Sequence, residues 1–216
     1  MTSAGTPTGC TLALLTCGPQ LEVALKAPGM TVPSVVRLAG ASPRSTLLLA
    51  AVDLLVEDAG VLPADVERVV VSRGPGSFTG IRAGLATAQG LAAALGATTV
   101  AFDSLLVHAA RAPSEGKAAS VWAAQPGRRG ELYVCRFDLA GSLPTAVGEV
   151  EIVPLVKVAE RGPWIAADTL DLGGGRRVVA ARTAAEALLR LDELGASPQP
   201  PRPLYVEGPP VDGGQR

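Results

Sequence analysis

The chain has one histidine, three cysteines and 3% aromatic residues among its 216, and each shortage removes a class of function. One histidine cannot furnish a His-x-x-x-His zinc site, so a metallopeptidase loses its ligands. Cys10, Cys17 and Cys135 are odd in number and form no C-x-x-C pair. That argues against a disulfide framework or a zinc knuckle and makes a reducing cytoplasm the expected compartment. Few aromatics leave little on which unpaired bases can stack. A net charge of −1 also lacks the basic surface that phosphate neutralisation needs, so no direct grip on nucleic acid is expected. No stretch reaches the roughly 20 uninterrupted apolar residues of a membrane helix, and no basic segment followed by an apolar run opens the chain, so neither a membrane span nor a secretory signal is expected.

What the chain does have is apolar residues, 48% of the total, enough for one large domain or two small ones with real cores. The most informative stretch is 66–95. Val66-Glu67-Arg68-Val69-Val70-Val71 reads as a buried strand. A turn-rich loop follows, Arg73-Gly74-Pro75-Gly76-Ser77-Phe78-Thr79-Gly80. Then Ile81, Gly84, Leu85, Ala88 and Ala92 recur at helical spacing, with Gly96 as the stop. Free backbone N–H groups at a helix start attract anions, but the spacing fits neither the P-loop nor the dinucleotide fingerprint, nor a hydrolase nucleophile elbow. The other reading is a tight strand-to-helix turn capped by Ser77 or Thr79.

Strands are expected over 10–15, 21–25 and 35–38, the first two as a hairpin. A helix is expected from Pro43 and Arg44 to about Ala59. That helix is apolar on most sides. A stripe of Leu48, Ala51, Val52 and Leu55 suffices to lie on one sheet, while Leu47, Leu54 and Val56 point elsewhere. The helix after the loop has the same excess, with Gly84 and Ala88 small enough to admit another helix closely. Two such helices suggest half of a helix bundle, so Leu47, Leu48, Ala51, Leu54, Leu55, Ile81, Gly84, Leu85 and Ala88 are the candidate partner interface. A well-covered internal helix is the alternative.

Further on, a strand at 98–102 leads to a helix capped by Asp103 or Ser104, carrying His108 in a structural or solvent-facing role. Residues 111–117 mark the boundary to a second lobe, dividing the chain into 1–110 and 111–216. Strands follow at 118–123, 130–137, 147–153 and 163–167, with Arg128 and Arg129 in a turn that is solvated or meets an anion. Thr183 caps a last helix with Glu186 in a capping box, and an extended, proline-rich tail closes the chain. Alternating strands and helices make an α/β architecture with mixed sheets. Asp53, Asp65, Asp103 and Asp138 fall in no recognisable metal spacing, and no catalytic, cofactor-binding or metal residue is assigned.

The segment SRGPGSFTGIRAGLATAQGLA, residues 72–92, closely resembles the signature of the TsaB family, also called YeaZ, whose members serve the threonylcarbamoyladenosine modification of tRNA. Gly130-Glu131-Leu132-Tyr133 and Pro203-Leu204-Tyr205-Val206 resemble two further family segments. The resemblance implies two ribonuclease-H-like lobes of the actin and sugar-kinase superfold, the second reduced. It implies a non-catalytic subunit that binds and stabilises a TsaD-like catalytic subunit for threonylcarbamoyl transfer to adenosine in tRNA. A TsaE-like ATPase joins that assembly, and the subunit self-pairs as a homodimer when alone. The chain departs from the family pattern at three places. Leu14-Leu15-Thr16 stands where an Ile-Asp-Thr-like run ends the first strand, so a carboxylate suited to magnesium is missing. A second acid is missing before Gly130, near Gln125, and Ala41-Ser42-Pro43-Arg44-Ser45 replaces a His-Ser-Glu-like run. No cofactor is therefore expected on this chain alone, with ATP or ADP held only in the complex. The alternative function is an independent ATPase or kinase of the same superfold.

Overall fold

The computed structural model describes residues 9–39, 44–114, 118–128 and 130–206. The readings made for Pro43, for Arg129, for the residues before Gly9 and for those after Val206 lie outside the described residues. Within them the chain forms two α/β lobes, each around its own mixed sheet.

In the first lobe, β1 (Cys10–Leu15), β2 (Leu21–Lys26) and β3 (Ser34–Leu38) form an antiparallel meander. Helix α1 (Arg44–Asp58) then leads to β4 (Val66–Ser72), parallel to β1, and α2 (Phe78–Leu95) leads to β5 (Thr98–Phe102), parallel to β4. The sheet order is β3-β2-β1-β4-β5. All six residues of β1 are buried, as are Val69, Val70 and Val71. A strand buried at consecutive positions needs cover on both faces, which is why it reads as a continuous apolar run rather than an alternating one.

Helix α3 (Ser104–Ala110) leads into the second lobe, where β6 (Ser120–Pro126), β7 (Glu131–Asp138), β8 (Thr145–Pro154) and β9 (Trp164–Ala166) pair in the order β8-β7-β6-β9. The short α4 (Leu155–Val158), which the sequence did not signal, joins β8 to β9. Residues 178–180 form no strand; only Arg177 bridges Trp164 there. Leu105 and Ala109 of α3 pack with Val121, Tyr133 and Phe137 of the second sheet, and Trp164 and Leu172 belong to a separate cluster of that lobe. These are two ribonuclease-H-like lobes, the second with the smaller sheet.

The last helix, α5 (Ala184–Glu193), returns to the first lobe and packs on β1, β2 and β4. Its start is the expected capping box, Thr183 Oγ1 accepting from Glu186 N and the Glu186 carboxylate from Thr183 N. A second cap comes from far away in sequence: buried Glu22 of β2 accepts from Ala184 N at 2.7 Å and Ala185 N at 3.0 Å. A carboxylate at the positive end of a helix is favourable, more so where water is excluded. α1 and α2 touch each other while α5 touches α3. The first sheet is thus sandwiched.

The lobes are tied by Arg111, which follows α3 and is 1% exposed. Its guanidinium donates to Ala166 O at 2.7 Å, to Asp168 Oδ1 at 2.5 Å and to Arg182 O at 3.1 Å. Asp168 in turn pairs with Arg37 of β3 at 2.5 Å. Burial works against the Asp168 charge, but hydrogen bonds from Arg37 and Arg111 hold its carboxyl below the ordinary value.

Candidate functional site

The signature loop lies where β4 hands over to α2. Ser77 caps the helix, its Oγ accepting from Gly80 N at 3.2 Å, while Ser77 N donates to Cys17 O at 2.9 Å and Ile81 N to Ser77 O at 2.8 Å. Gly80 N and Ile81 N are thus engaged by the cap residue itself, the geometry of a tight capped turn. Gly76 has φ of +149°, and a Cβ there would lie 2.5 Å from Cys17 O and 2.7 Å from Gln125 Nε2. The glycines of α2 also have a packing reason, and it is internal. Thr16 Oγ1 donates to Gly80 O at 2.6 Å, and a Cβ on Gly84 would collide with that same hydroxyl. The close approach that Gly84 permits is to the end of β1.

Behind the loop sits a buried polar plug that sequence reasoning missed. Gln125 Nε2 donates to Cys17 O at 2.9 Å, so its Oε1 is the acceptor facing His108 Nε2 at 2.6 Å. His108 Nε2 therefore carries the proton. Its Nδ1 is buried with no partner among the described residues. Burial, helped by the Arg111 charge, pushes the His108 pKa down to about 4, so the ring is neutral at neutral pH. Of the two roles open to His108, the structure takes the structural one. Cys17 Sγ, in contact with Ser72 Oγ at 3.1 Å and Ser104 Oγ at 2.9 Å, completes the plug. The acid that the resemblance implies near Gln125 is absent, and the Gln125 amide supplies the donor to Cys17 O.

A cleft of about 340 Å³ opens between the lobes, lined by the Cys17-Gly18-Pro19 turn, Pro75 to Phe78, Arg128, Tyr133 and Tyr205. Leu15, where the resemblance implies a carboxylate suited to magnesium, is buried and apolar. Among the described residues no three His, Cys, Asp or Glu side chains are grouped to hold a metal, and no helix is long and apolar enough to cross a membrane.

The nine candidate interface residues separate into two sets. Leu48, Ala51, Leu55, Ile81, Gly84, Leu85 and Ala88 are buried in this chain's own core, so they are not open to a partner docking on the folded lobe. Leu47 is half-buried, and Leu54 is 55% exposed. The surplus predicted from the apolar excess is real but lies on the outer flanks: Leu49, Ala50 and Leu54 on α1, and Ala86, Gly90 and Ala94 on α2. Val56, expected to point away from the sheet, is buried as well.

The family model described as "TsaD: tRNA N6-adenosine threonylcarbamoyltransferase" matches residues 39–161, more than half of the chain. The curated Escherichia coli protein "tRNA threonylcarbamoyladenosine biosynthesis protein TsaB" is 30% identical over 128 residues, 56% of this chain and 55% of that one. The Bacillus subtilis protein of the same name is 36% identical over 100 residues, 46% of this chain and 42% of its own length. The chain thus spans about half the length of the curated relatives it matches. The solved structure of "YeaZ from Pseudomonas aeruginosa" superposes with a TM-score of 0.75 and 26% identity, covering 92% of this chain and all of that one. With its signature loop, two lobes and these relatives, the chain belongs to the TsaB (YeaZ) family.

Proposed function

We propose that this chain is a non-catalytic subunit that docks on a TsaD-like catalytic subunit and stabilises it for threonylcarbamoyl transfer to adenosine in tRNA. Two relatives named as threonylcarbamoyladenosine biosynthesis proteins support that setting. The observation that carries the docking role is the outer flank of α1 and α2. Leu54, at 55% exposure, projects from a helix whose opposite face is fully committed to the sheet. Single exposed leucines are ordinary on protein surfaces; an apolar stretch shared by two touching helices marks an interface. A TsaE-like ATPase joins the assembly, ATP or ADP is held only within it, and the same flank pairs two copies of the chain when the partner is absent.

The test is light scattering of the purified chain alone and with a TsaD-like subunit, for wild type and Leu54→Glu. A surface change of this kind shifts stability by within about 0.5 kcal/mol, so the variant melts normally. It is expected to lose the heteromeric peak, because a charge buried without a partner costs several kcal/mol. Full association by a normally folded Leu54→Glu protein would remove the flank from the interface. Magnesium-dependent ATP turnover by the chain alone would instead favour the independent ATPase.

A further inference from the structure

We propose that Arg82 is the anchor of this docking face, a guanidinium held in place to receive a carboxylate side chain of the partner subunit. The proposal rests on the docking role just given and adds to it the partner's chemistry. Helix α2 carries no charged residue other than Arg82 along its 18 positions. The residue is exposed and lies toward the positive end of the helix, where a cation gains nothing from the helix dipole. Helix stability is therefore not what this arginine serves.

Its side chain is nevertheless fixed. The guanidinium carbon lies 4.0 Å from the centre of the Phe78 ring, and Nε donates to Tyr205 Oη at 3.0 Å. The Phe78 and Tyr205 rings stack on each other, centroids 5.0 Å apart. Tyr205 arrives from the opposite end of the chain on a strap that is itself pinned. Leu204 N donates to Arg73 O at 2.8 Å, Gln199 N to Ala101 O at 2.9 Å, and Gln89 Nε2 to Pro201 O at 3.0 Å. A chain with two tyrosines and three phenylalanines has thus spent one of each on orienting a surface arginine.

With one face on Phe78 and Nε on Tyr205, the two terminal Nη groups have no partner among the described residues. A planar guanidinium offers such a pair as a fork that a carboxylate fills bidentately. Its side-chain freedom is already restricted, so less is lost when the partner arrives. Aromatic and arginine clusters of this kind dominate binding at interfaces. An RNA phosphate would satisfy the same fork, but backbone binding takes several cations together. Here α2 offers Arg82 as its one charge, enough for a single acidic side chain of a protein and too few for a phosphate backbone.

Titration calorimetry with a TsaD-like subunit, for wild type, Arg82→Gln, Arg82→Lys and Tyr205→Phe, tests the anchor, with thermal melts as the check of folding. Arg82→Gln is expected to weaken binding about tenfold or more, the scale of a lost interface anchor. Arg82→Lys should restore little of it, because an ammonium lacks the fork. Tyr205→Phe should weaken binding several-fold while keeping the ring stack. If wild type binds and Arg82→Gln binds equally well, the anchor is wrong and the docking role stands. If wild type does not bind at all, the docking role falls and the anchor with it. A gel shift with tRNA that is lost in Arg82→Gln, beside unchanged subunit binding, would assign the fork to phosphate and overturn the carboxylate.

Discussion

Gly84 shows how a single missing carbon can be misread. From the sequence, glycine in a helix costs roughly 1 kcal/mol relative to alanine and so asks for a packing reason; a partner helix was the natural candidate. The neighbour is instead Thr16 of the same chain, whose hydroxyl occupies the space of the missing Cβ while bonding Gly80 O. Gly84→Ala is therefore expected to destabilise the chain by about 1 to 3 kcal/mol, the usual overpacking cost, measured by urea unfolding. If the variant were more stable, as helix propensity alone would have it, the contact would not be as described. His108 offers a second residue-level test. Its folded pKa is lowered to about 4 from 6.5. The unfolded state therefore binds the proton first, and stability is complete above about pH 6.5 and falls as pH drops toward 4. Melting temperatures of wild type and His108→Gln should converge over that window as the wild type loses its advantage. The plug itself was not legible in the sequence, because its members come from four separate segments and glutamine carries no periodic or motif signal.

At the scale of elements the sequence was far more transparent. β1, β5 and the end of α2 at Gly96 fall where periodicity and stop signals put them, and so does the capping box of α5. The reason is that buried parallel strands and capped helices write their environment locally. Asp103 shows the limit. It stands at the N-cap of α3 but makes no side-chain cap, because Arg73 Nε takes its carboxylate at 2.5 Å. Tertiary pairing overrode local chemistry there. The candidate interface met the same limit: apolar excess on α1 and α2 was visible, but which side of each helix the sheet takes depends on how they pack. The closing strap was legible only as extended and proline-rich, without its destination. Ending the chain at Pro198 should leave β1 and β4 intact but raise amide hydrogen exchange through 73–80, since the Leu204–Arg73 bond and the stack on Phe78 disappear together. Unchanged exchange in that loop would show that the strap holds nothing.

For the whole molecule, the question is what fixes one lobe against the other. Arg111 is buried and holds three acceptors, two of them backbone carbonyls, whereas Asp168 is 41% exposed at its side chain. The two ends of this ion pair should therefore weigh very differently. Asp168→Asn keeps an amide oxygen for the buried Arg111 guanidinium but removes its counter-charge, and is expected to cost about 1 to 2 kcal/mol. Arg111→Leu strands buried carbonyls and should cost on the order of 3 kcal/mol or more. Denaturant melts of the two variants decide this; equal losses would mean that the charge pair, not the buried carbonyl contacts, joins the lobes.

Helix α5 also sets a schedule. It supplies the cover for β1, β2 and β4 on one side of the first sheet, yet it is synthesised after the whole second lobe. On the ribosome, the earlier strands must wait with a greasy surface bare while some seventy further residues, about the span from α3 to α5, emerge. Contacts so distant along the chain slow assembly and lengthen exposure to aggregation. A gene fragment stopping at Ala110 should accordingly yield insoluble protein, and supplying 184–193 as a separate peptide should recover some of it.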